Sequence, residues 1–212
     1  MNETSAFTEL LERLAIADLV QFERMYRDQQ QWEKLSTCYH PDSFISLGWF
    51  AGTGAEYVTA SRKLESRKAG WHLTHLTGPT QVQVYKDRAL AETNTLIIRR
   101  SVMEGVLADA TIYCRLCSRV EKRADAWKLL TLDAVYEKDT LVPVYPSERL
   151  ELRREELAQY PPAYRFTAYN LQRLGYSVKP EQLYSTENPE RVAQFFGEAT
   201  NWLYQASNAD NS

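Results

Sequence analysis

The order of the predicted elements constrains this chain most: helices come first, and a run of long strands follows them. Apolar residues recur at steps of three and four over residues 8–30, which predicts an amphipathic helix. Shorter helices are predicted at residues 32–38 and 55–67, and a turn is predicted at residues 40–42. The first third of the chain therefore supplies helices that can pack on a sheet formed later in the sequence.

The middle of the chain is rich in strand signals. Segments with strand character cover residues 43–50, 73–76, 81–85, 89–102, 110–121 and 127–136. Gly78 and Pro79 interrupt this run, and Ala124 with Asp125 predicts a tight turn between the last two strands. Helices followed by hairpin-linked strands indicate an α+β fold, in which helices pack on one face of a strongly curved antiparallel sheet.

The sequence pattern changes after Asp139 from predicted strands to predicted helices. We therefore divide the chain into residues 1–139 and a C-terminal extension of residues 140–212. The extension contains predicted helices that begin at Ser147, Tyr164 and Pro189. It also holds many of the chain's 13 Tyr and 7 Phe, which makes it too aromatic for a flexible tail. We expect it to pack on the first domain or on a neighbouring subunit.

Composition excludes several classes of function. The 25 basic and 28 acidic residues are interspersed and give a net charge of −3, so we expect no nucleic-acid partner. No apolar run approaches 18 residues, so we expect no membrane span. The first residues lack a secretory pattern, and three Cys fit a reducing compartment. We therefore expect a cytoplasmic protein.

Cys114 and Cys117 form a C-x-x-C pattern within a predicted strand. A spacing of three on a strand sends the two side chains to opposite faces. They cannot share a metal ion or form a redox pair without a break in the strand, and we expect no metal site there.

Candidate acid–base groups are few, because the chain has only three His. His72 and His75 lie at the start of a strand, and their spacing alone does not show which of them faces inward. Asp28 lies near the end of the first helix. It either begins an exposed turn or, if it is buried beside an imidazole, orients that ring as a general base. A hydrogen-bonded core histidine is the alternative for either His.

Several motifs in their order along the chain resemble the SnoaL-like branch of the nuclear transport factor 2-like superfamily, which includes scytalone dehydratase and diarylpropane lyases. The resemblance rests on Tyr26-Arg-Asp28, Trp32-Glu-Lys-Leu35, Tyr39-His-Pro-Asp42, Gly48-Trp-Phe50, Gly52-Thr-Gly54, and Arg115 to Lys122 followed by Trp127-Lys-Leu129. It covers residues 8–137 and implies a curved sheet wrapped by helices into a cone with a deep pocket.

The resemblance also implies site residues. It places His75 and Asp28 in a dyad that abstracts a proton, and it puts Tyr26 near a tyrosine that binds the substrate. A second pocket histidine of the family corresponds to Thr93 or Asn94 here. Trp49 and His72 are further candidates for substrate binding.

The sequence leaves open the roles of two charged residues near the predicted pocket, Arg115 and Asp133. Strand alternation puts Arg115 on the face opposite to Ile112 and Leu116, away from the pocket unless a bulge intervenes. Asp133 is either a second acid or a structural partner of Arg115 or Arg119.

Together these features predict a cofactor-independent lyase that eliminates water or formaldehyde from a hydroxylated aromatic substrate, such as a lignin-derived diaryl compound. A homo-oligomer is expected. The alternatives are a non-catalytic module for small-molecule binding or assembly, and an isomerase or cyclase of polyketide or steroid type.

Overall fold

The computed structural model describes residues 3–66, 72–176, 178–179 and 182–205, with the backbone alone for residues 3–5, 66 and 72. The elements are α1 (Glu3–Asp28), α2 (Trp32–Thr37), β1 (Tyr39–Leu47), β2 (Phe50–Thr53), α3 (Gly54–Ser66), β3 (His72–Tyr85), β4 (Arg88–Met103), β5 (Val106–Arg123), β6 (Ala126–Pro143), α4 (Arg154–Ala158), α5 (Arg165–Arg173), β7 (Tyr184–Ser185) and α6 (Pro189–Tyr204). A single 3-10 turn, Pro162–Tyr164, leads into α5.

The strands form one curved sheet in the order β2-β1-β6-β5-β4-β3, with β7 beside β6. Most neighbours are antiparallel, but β1 and β7 both run parallel to β6. Tight turns join β3 through β6, and the predicted turn at Ala124 and Asp125 is present, with positive φ at both residues. The predicted α+β cone of a curved sheet and packed helices is confirmed.

A bulge in β3 joins two segments that the sequence separates. The pairing with β4 shifts between Thr77 and Thr80, where Gly78 and Pro79 lie. Proline has no N–H to donate to a ladder, and a bulge accommodates it without ending the strand. Because the bulge changes the alternation, His75 before it and Val82 after it both face the inner side of the sheet.

The predicted turn at residues 40–42 is wrong. These residues form the irregular start of β1, whose pairing with β6 shifts between Tyr39 and Phe44. His40 is buried there, and its Nε2 lies 2.8 Å from the backbone oxygen of Glu121. The sequence predicts a turn at these residues, but this hydrogen bond satisfies the imidazole inside the sheet.

Helices cover the inner face of the sheet in two places. Ile16 and Val20 of α1 pack with Val82 and Ala91, whereas the earlier Leu14 is about half exposed. Helices α2 and α3 pack on the main core beside β1. Helix α3 begins with a capping box, in which the Thr53 backbone N–H donates to the Glu56 carboxylate (2.8 Å) and Glu56 N–H donates to Thr53 Oγ1 (3.3 Å).

The first part of the C-terminal extension packs on the inner side of the cone. The Tyr164 ring lies 5.4 Å from that of Tyr136, and the Thr167 N–H at the start of α5 donates to Asp139 Oδ2 (2.7 Å). The charged helix predicted from Ser147 begins only at Arg154. Helix α5 forms one wall of the cavity described below.

Helix α6 lies on the outer face of the sheet. Phe195 is buried against Cys117 and Val135, and Arg88 Nη1 donates to the backbone oxygen of Trp202 (2.8 Å). The extension therefore contacts both faces of the sheet. None of the described helices is both long and apolar enough to cross a membrane.

Candidate active site

The site begins where the last residue of α1 meets β3. Gln21 fixes the crossing of these elements, because its Nε2 donates to the Gly78 carbonyl (3.1 Å) and its Oε1 accepts from Thr77 Oγ1 (2.9 Å). Two helical turns further along α1, Asp28 reaches His75. A helix anchored at the bulge thus presents a carboxylate to the preceding part of the strand.

Asp28 binds His75 through both carboxylate oxygens. Oδ1 lies 2.7 Å from His75 Nδ1, and Oδ2 accepts a 2.6 Å hydrogen bond from the His75 backbone N–H. The side chains are 15% and 5% exposed. A carboxylate at Nδ1 favours the tautomer that carries its proton there, which leaves Nε2 with a lone pair.

The surroundings favour neutral His75 and ionised Asp28. Burial lowers the pKa of His75 below its usual value, and the charges of Arg24 and Arg27 add to this, although Asp28 acts in the opposite direction. Burial acts to raise the pKa of Asp28, but the hydrogen bonds with His75 outweigh it and hold that pKa below its usual value. The pair is thus a neutral imidazole next to a carboxylate.

His75 lines a cavity inside the cone. Its walls are apolar and aromatic, with a few polar groups on α1, β4, β6 and α5. The lining residues are Arg24, Arg27, Leu47, Gly48, Trp49, Tyr57, Leu64, Leu73, His75, Ile97, Arg99, Ile112, Leu116, Ala134, Tyr136, Thr167 and Leu171. A mostly apolar cavity with a few convergent polar groups is typical of a small-molecule site.

A buried polar network supports one wall. Glu23 accepts hydrogen bonds from the Arg24 guanidinium and from the Tyr39 hydroxyl, and Arg24 Nη2 donates to the Tyr57 hydroxyl (3.3 Å). Glu23 and Arg24 are almost fully buried. The network fixes the Arg24 guanidinium at the cavity.

Of the predicted substrate-binding residues, the structure brings Trp49 to the cavity. Its ring lies 5.7 Å from that of Tyr57 and 6.2 Å from that of Tyr176. Tyr26 lies elsewhere: it stacks on Phe22 at 5.8 Å, and the Lys34 ammonium lies 5.5 Å from its ring centre. The backbone of His72 pairs with Arg100 at the start of β3, and its side chain lies outside the described residues.

Asn94 and Arg115 are not brought to the cavity. The two pair with each other across β4 and β5 on the outer face, because inward positions in β4 alternate through Thr93, Thr95 and Ile97. Asn94 is exposed, and Arg115 forms ion pairs with Glu92 (2.8 Å) and Glu137 (3.2 Å). The pairing of β5 with β6 does shift next to Cys114, as a bulge would require. Arg115 nevertheless faces outward.

The structure also shows the surroundings of Asp133 and of the two cysteines, Cys114 and Cys117. Burial raises the pKa of Asp133 to about 6, and the nearby Arg119 opposes that shift. Cys114 packs in the main core and Cys117 under α6, on opposite faces as predicted. Within the described ranges, no group of three or more His, Cys, Asp and Glu side chains could hold a metal ion.

Sequence reasoning missed the three arginines of the cavity. Arg24 and Arg27 follow Ile16 and Val20 on the buried stripe of α1, and Arg99 shares the inward alternation of Ala91 and Ile97 in β4. A basic residue at a core position of a helix or strand is the signal that could have found them.

With the cone and its cavity defined, comparison with known proteins decides the family. A model of the SnoaL-like domain matches residues 8–133. The chain belongs to the SnoaL-like domain family. A PEP2-like protein of Fusarium vanettenii is 30% identical over 162 residues, which cover 76% of this chain and 69% of that protein.

Two solved structures show the same SnoaL-like cone. A candidate scytalone dehydratase from Novosphingobium aromaticivorans has a TM-score of 0.55 and 21% identity, with 69% of this chain and 99% of that chain covered. A hexachlorocyclohexane dehydrochlorinase from Novosphingobium barchaimii has a TM-score of 0.55 and 17% identity, with the same coverage. Both share the nuclear transport factor 2-like fold.

Proposed function

We propose that the protein is a cofactor-independent lyase that eliminates water or formaldehyde from a hydroxylated aromatic substrate, with His75 as the base. One observation carries the proposal: the Asp28 carboxylate lies within hydrogen-bond distance of Nδ1 of a buried His75, and the ring of His75 borders an apolar cavity. Burial lowers the pKa of His75, so the imidazole is ready to accept a proton at neutral pH.

In a dehydration, Nε2 of His75 accepts a proton from a substrate carbon. The C–H electron pair becomes the new double bond as the neighbouring C–O bond breaks. The imidazolium, stabilised by the Asp28 carboxylate, returns the proton to the departing hydroxide and releases water. No electron donor or acceptor is needed, because the substrate is neither oxidised nor reduced overall.

In the formaldehyde-releasing reaction, Nε2 of His75 takes the hydroxyl proton of a hydroxymethyl group on the substrate. Its C–C bond then breaks to release formaldehyde, and the electron pair forms a double bond as a neighbouring hydroxide leaves. That hydroxide takes the proton from His75 as water. Both reactions use His75 as the base, and both break a C–O bond. They differ in the bond that supplies the electron pair of the new double bond, which is C–H in the dehydration and C–C in the release of formaldehyde.

The cavity walls support an aromatic substrate. The rings of Trp49, Tyr57 and Tyr136 line it, together with aliphatic side chains such as Ile112. Flat rings gain both apolar burial and edge-to-face contacts against such walls. The names of the two structural neighbours, a dehydratase and a dehydrochlorinase, also denote eliminations, which supports this class of reaction.

Incubation with hydroxylated diaryl compounds without added cofactor, followed by mass spectrometry, tests the proposal. We expect a product lighter by one water, or by one formaldehyde and one water. His75→Gln should lower the rate about 100-fold or more, while the secondary structure measured by circular dichroism is kept. His40→Ala is the matched control, because His40 is buried away from the cavity and should leave the rate constant of the folded protein unchanged. If no compound is converted, the lyase assignment is wrong and the binding module is favoured. If compounds are converted but His75→Gln is fully active, the assignment of His75 as the base is wrong.

A further inference from the structure

The solvent-facing side of α1 is apolar, although the helix already packs on the core with its other side. Ile16 and Val20 face the sheet. On the opposite side of the helix, large apolar side chains are 36–62% exposed, and they are Phe7, Leu10, Leu11, Leu14, Phe22 and Met25. We call these six residues the outer stripe. A helix that is apolar on both sides normally has both sides covered.

The first half of α1 packs little against the described part of its own chain. Residues 6–15 are all exposed except Glu12, which is partly buried and accepts a 2.8 Å hydrogen bond from Lys122. A helical segment of this length is marginal in water by itself, because most helical stability in proteins comes from tertiary packing. A surface packed on the outer stripe would supply that stabilisation.

The spacing of the outer stripe suits another helix. Positions 7, 11, 14, 18, 22 and 25 follow one another at steps of four and three, as in the seam of a coiled coil. Five of these positions are apolar, and Asp18 is the polar one. A polar residue within such a seam selects one register of the two helices over the others.

The exposed area is on the scale of a subunit interface. At roughly 150–200 Å² for a large apolar side chain, the six exposed fractions correspond to on the order of 500 Å². A stable dimer of standard size buries about 800 Å² on each partner. The outer stripe therefore supplies more than half of the area that a dimer needs, and the flanks of the helix can supply the rest.

We propose that a second copy of this chain packs its own α1 antiparallel along the outer stripe, about a two-fold axis near residue 16. Such an interface is isologous, so each contact occurs twice. The first half of each outer stripe then covers Phe22 and Met25 of the partner subunit. At the centre, Leu14 faces the partner's Asp18. A parallel pair is disfavoured, because it would place Asp18 against the partner's Asp18.

The second copy would also cover a groove beside the candidate active site. Phe22 and Met25 line this groove together with Asp28 and His75, between the end of α1 and β3. In the antiparallel register the partner's Phe7 lies over Met25, next to the groove. The second copy thus shields the outer side of the Asp28 carboxylate from water. This interface follows from the surface and spacing of α1, independently of the proposed lyase activity.

Sedimentation velocity of the full chain at micromolar concentration tests the proposal. We expect the wild type to sediment as a dimer of the 24.5 kDa chain. Leu14→Asp should weaken the dimer about 100-fold or more, because it opposes two carboxylates at each of the two symmetric contacts. Leu14→Lys should weaken it much less, since an antiparallel partner presents Asp18 to the ammonium group. Leu14 is about half exposed, so both variants should keep the wild-type circular dichroism spectrum.

Val102→Asp is the matched control, because Val102 is also exposed but lies on the outer face of the sheet. This variant should dimerise like the wild type. A monomeric wild type, a dimer that is unaffected by Leu14→Asp, or a dimer that Val102→Asp dissociates would overturn the proposal. Equal weakening by Leu14→Asp and Leu14→Lys would overturn the antiparallel register.

Amide hydrogen exchange tests whether the second copy covers the groove. Residues 73–77 of β3 include the His75 N–H that donates to Asp28. Their exchange should be slower in the wild-type dimer than in Leu14→Asp, whereas α6, on the other face of the sheet, should exchange equally in both proteins. Equal exchange of residues 73–77 in the two proteins would overturn the covering of the groove, whatever the outcome of the lyase assay.

Discussion

The Asp28 carboxylate holds His75 at two points, the ring nitrogen Nδ1 at 2.7 Å and the backbone N–H at 2.6 Å. The first contact favours the tautomer with its proton on Nδ1, and the second ties the end of α1 to the strand that carries the imidazole. Ring orientation and helix position are therefore coupled. A change at Asp28 should affect the chemistry of the base more than the fold of the sheet.

Asp28→Asn should lower kcat/KM about 100-fold or more, because the amide no longer stabilises the imidazolium. Asp28 acts to raise the pKa of His75, so its removal should also move the acid limb of the pH–rate profile to lower pH. The measurement is kcat/KM against pH for both proteins. Asp18→Asn, at an exposed position of the same helix, serves as the control. A limb that moves to higher pH would contradict the coupling.

Glu23→Gln should destabilise the fold by about 3–5 kcal/mol, since it leaves the buried Arg24 charge without its carboxylate. Urea unfolding measures the free energy. The double variant Glu23→Gln/Arg24→Met should lose less than the sum of the two single variants, because it removes both charges. Additive losses would show that the two side chains do not stabilise each other.

Leu171→Ala should cost about 2–5 kcal/mol, because Leu171 of α5 is buried against the cavity and its truncation enlarges it. The same change should improve the rate with bulkier aromatic substrates relative to smaller ones. Gln172→Ala, at the next and exposed position, should change neither stability nor selectivity. An unchanged selectivity in Leu171→Ala would mean that α5 does not bound the substrate.

Periodicity and motif order predicted much of this molecule. The helical repeat located α1, strand alternation separated Cys114 from Cys117, and the family resemblance paired Asp28 with His75. These features depend on local patterns or on the order of segments along the chain. The homo-oligomeric state stays a prediction.

Long-range packing explains what was missed. Nothing local in Thr167 or Leu171 reveals that α5 folds back to wall the cavity, since that depends on contacts with β6 far earlier in the chain. Asn94 was assigned from a family position, although the alternation of Thr93 and Thr95 with the core already placed it on the outer face. Alternation is thus the stronger guide where the two disagree.

The central claim is that His75 is a neutral base with its proton on Nδ1, and nitrogen-15 NMR of the imidazoles tests it most directly. The chain has only three His, so His75→Gln assigns the signal. Burial lowers the His75 pKa, so at neutral pH we expect a protonated Nδ1 and an unprotonated Nε2, with titration below the ordinary value of about 6.5. A proton on Nε2 at neutral pH, or titration above that value, would contradict the account.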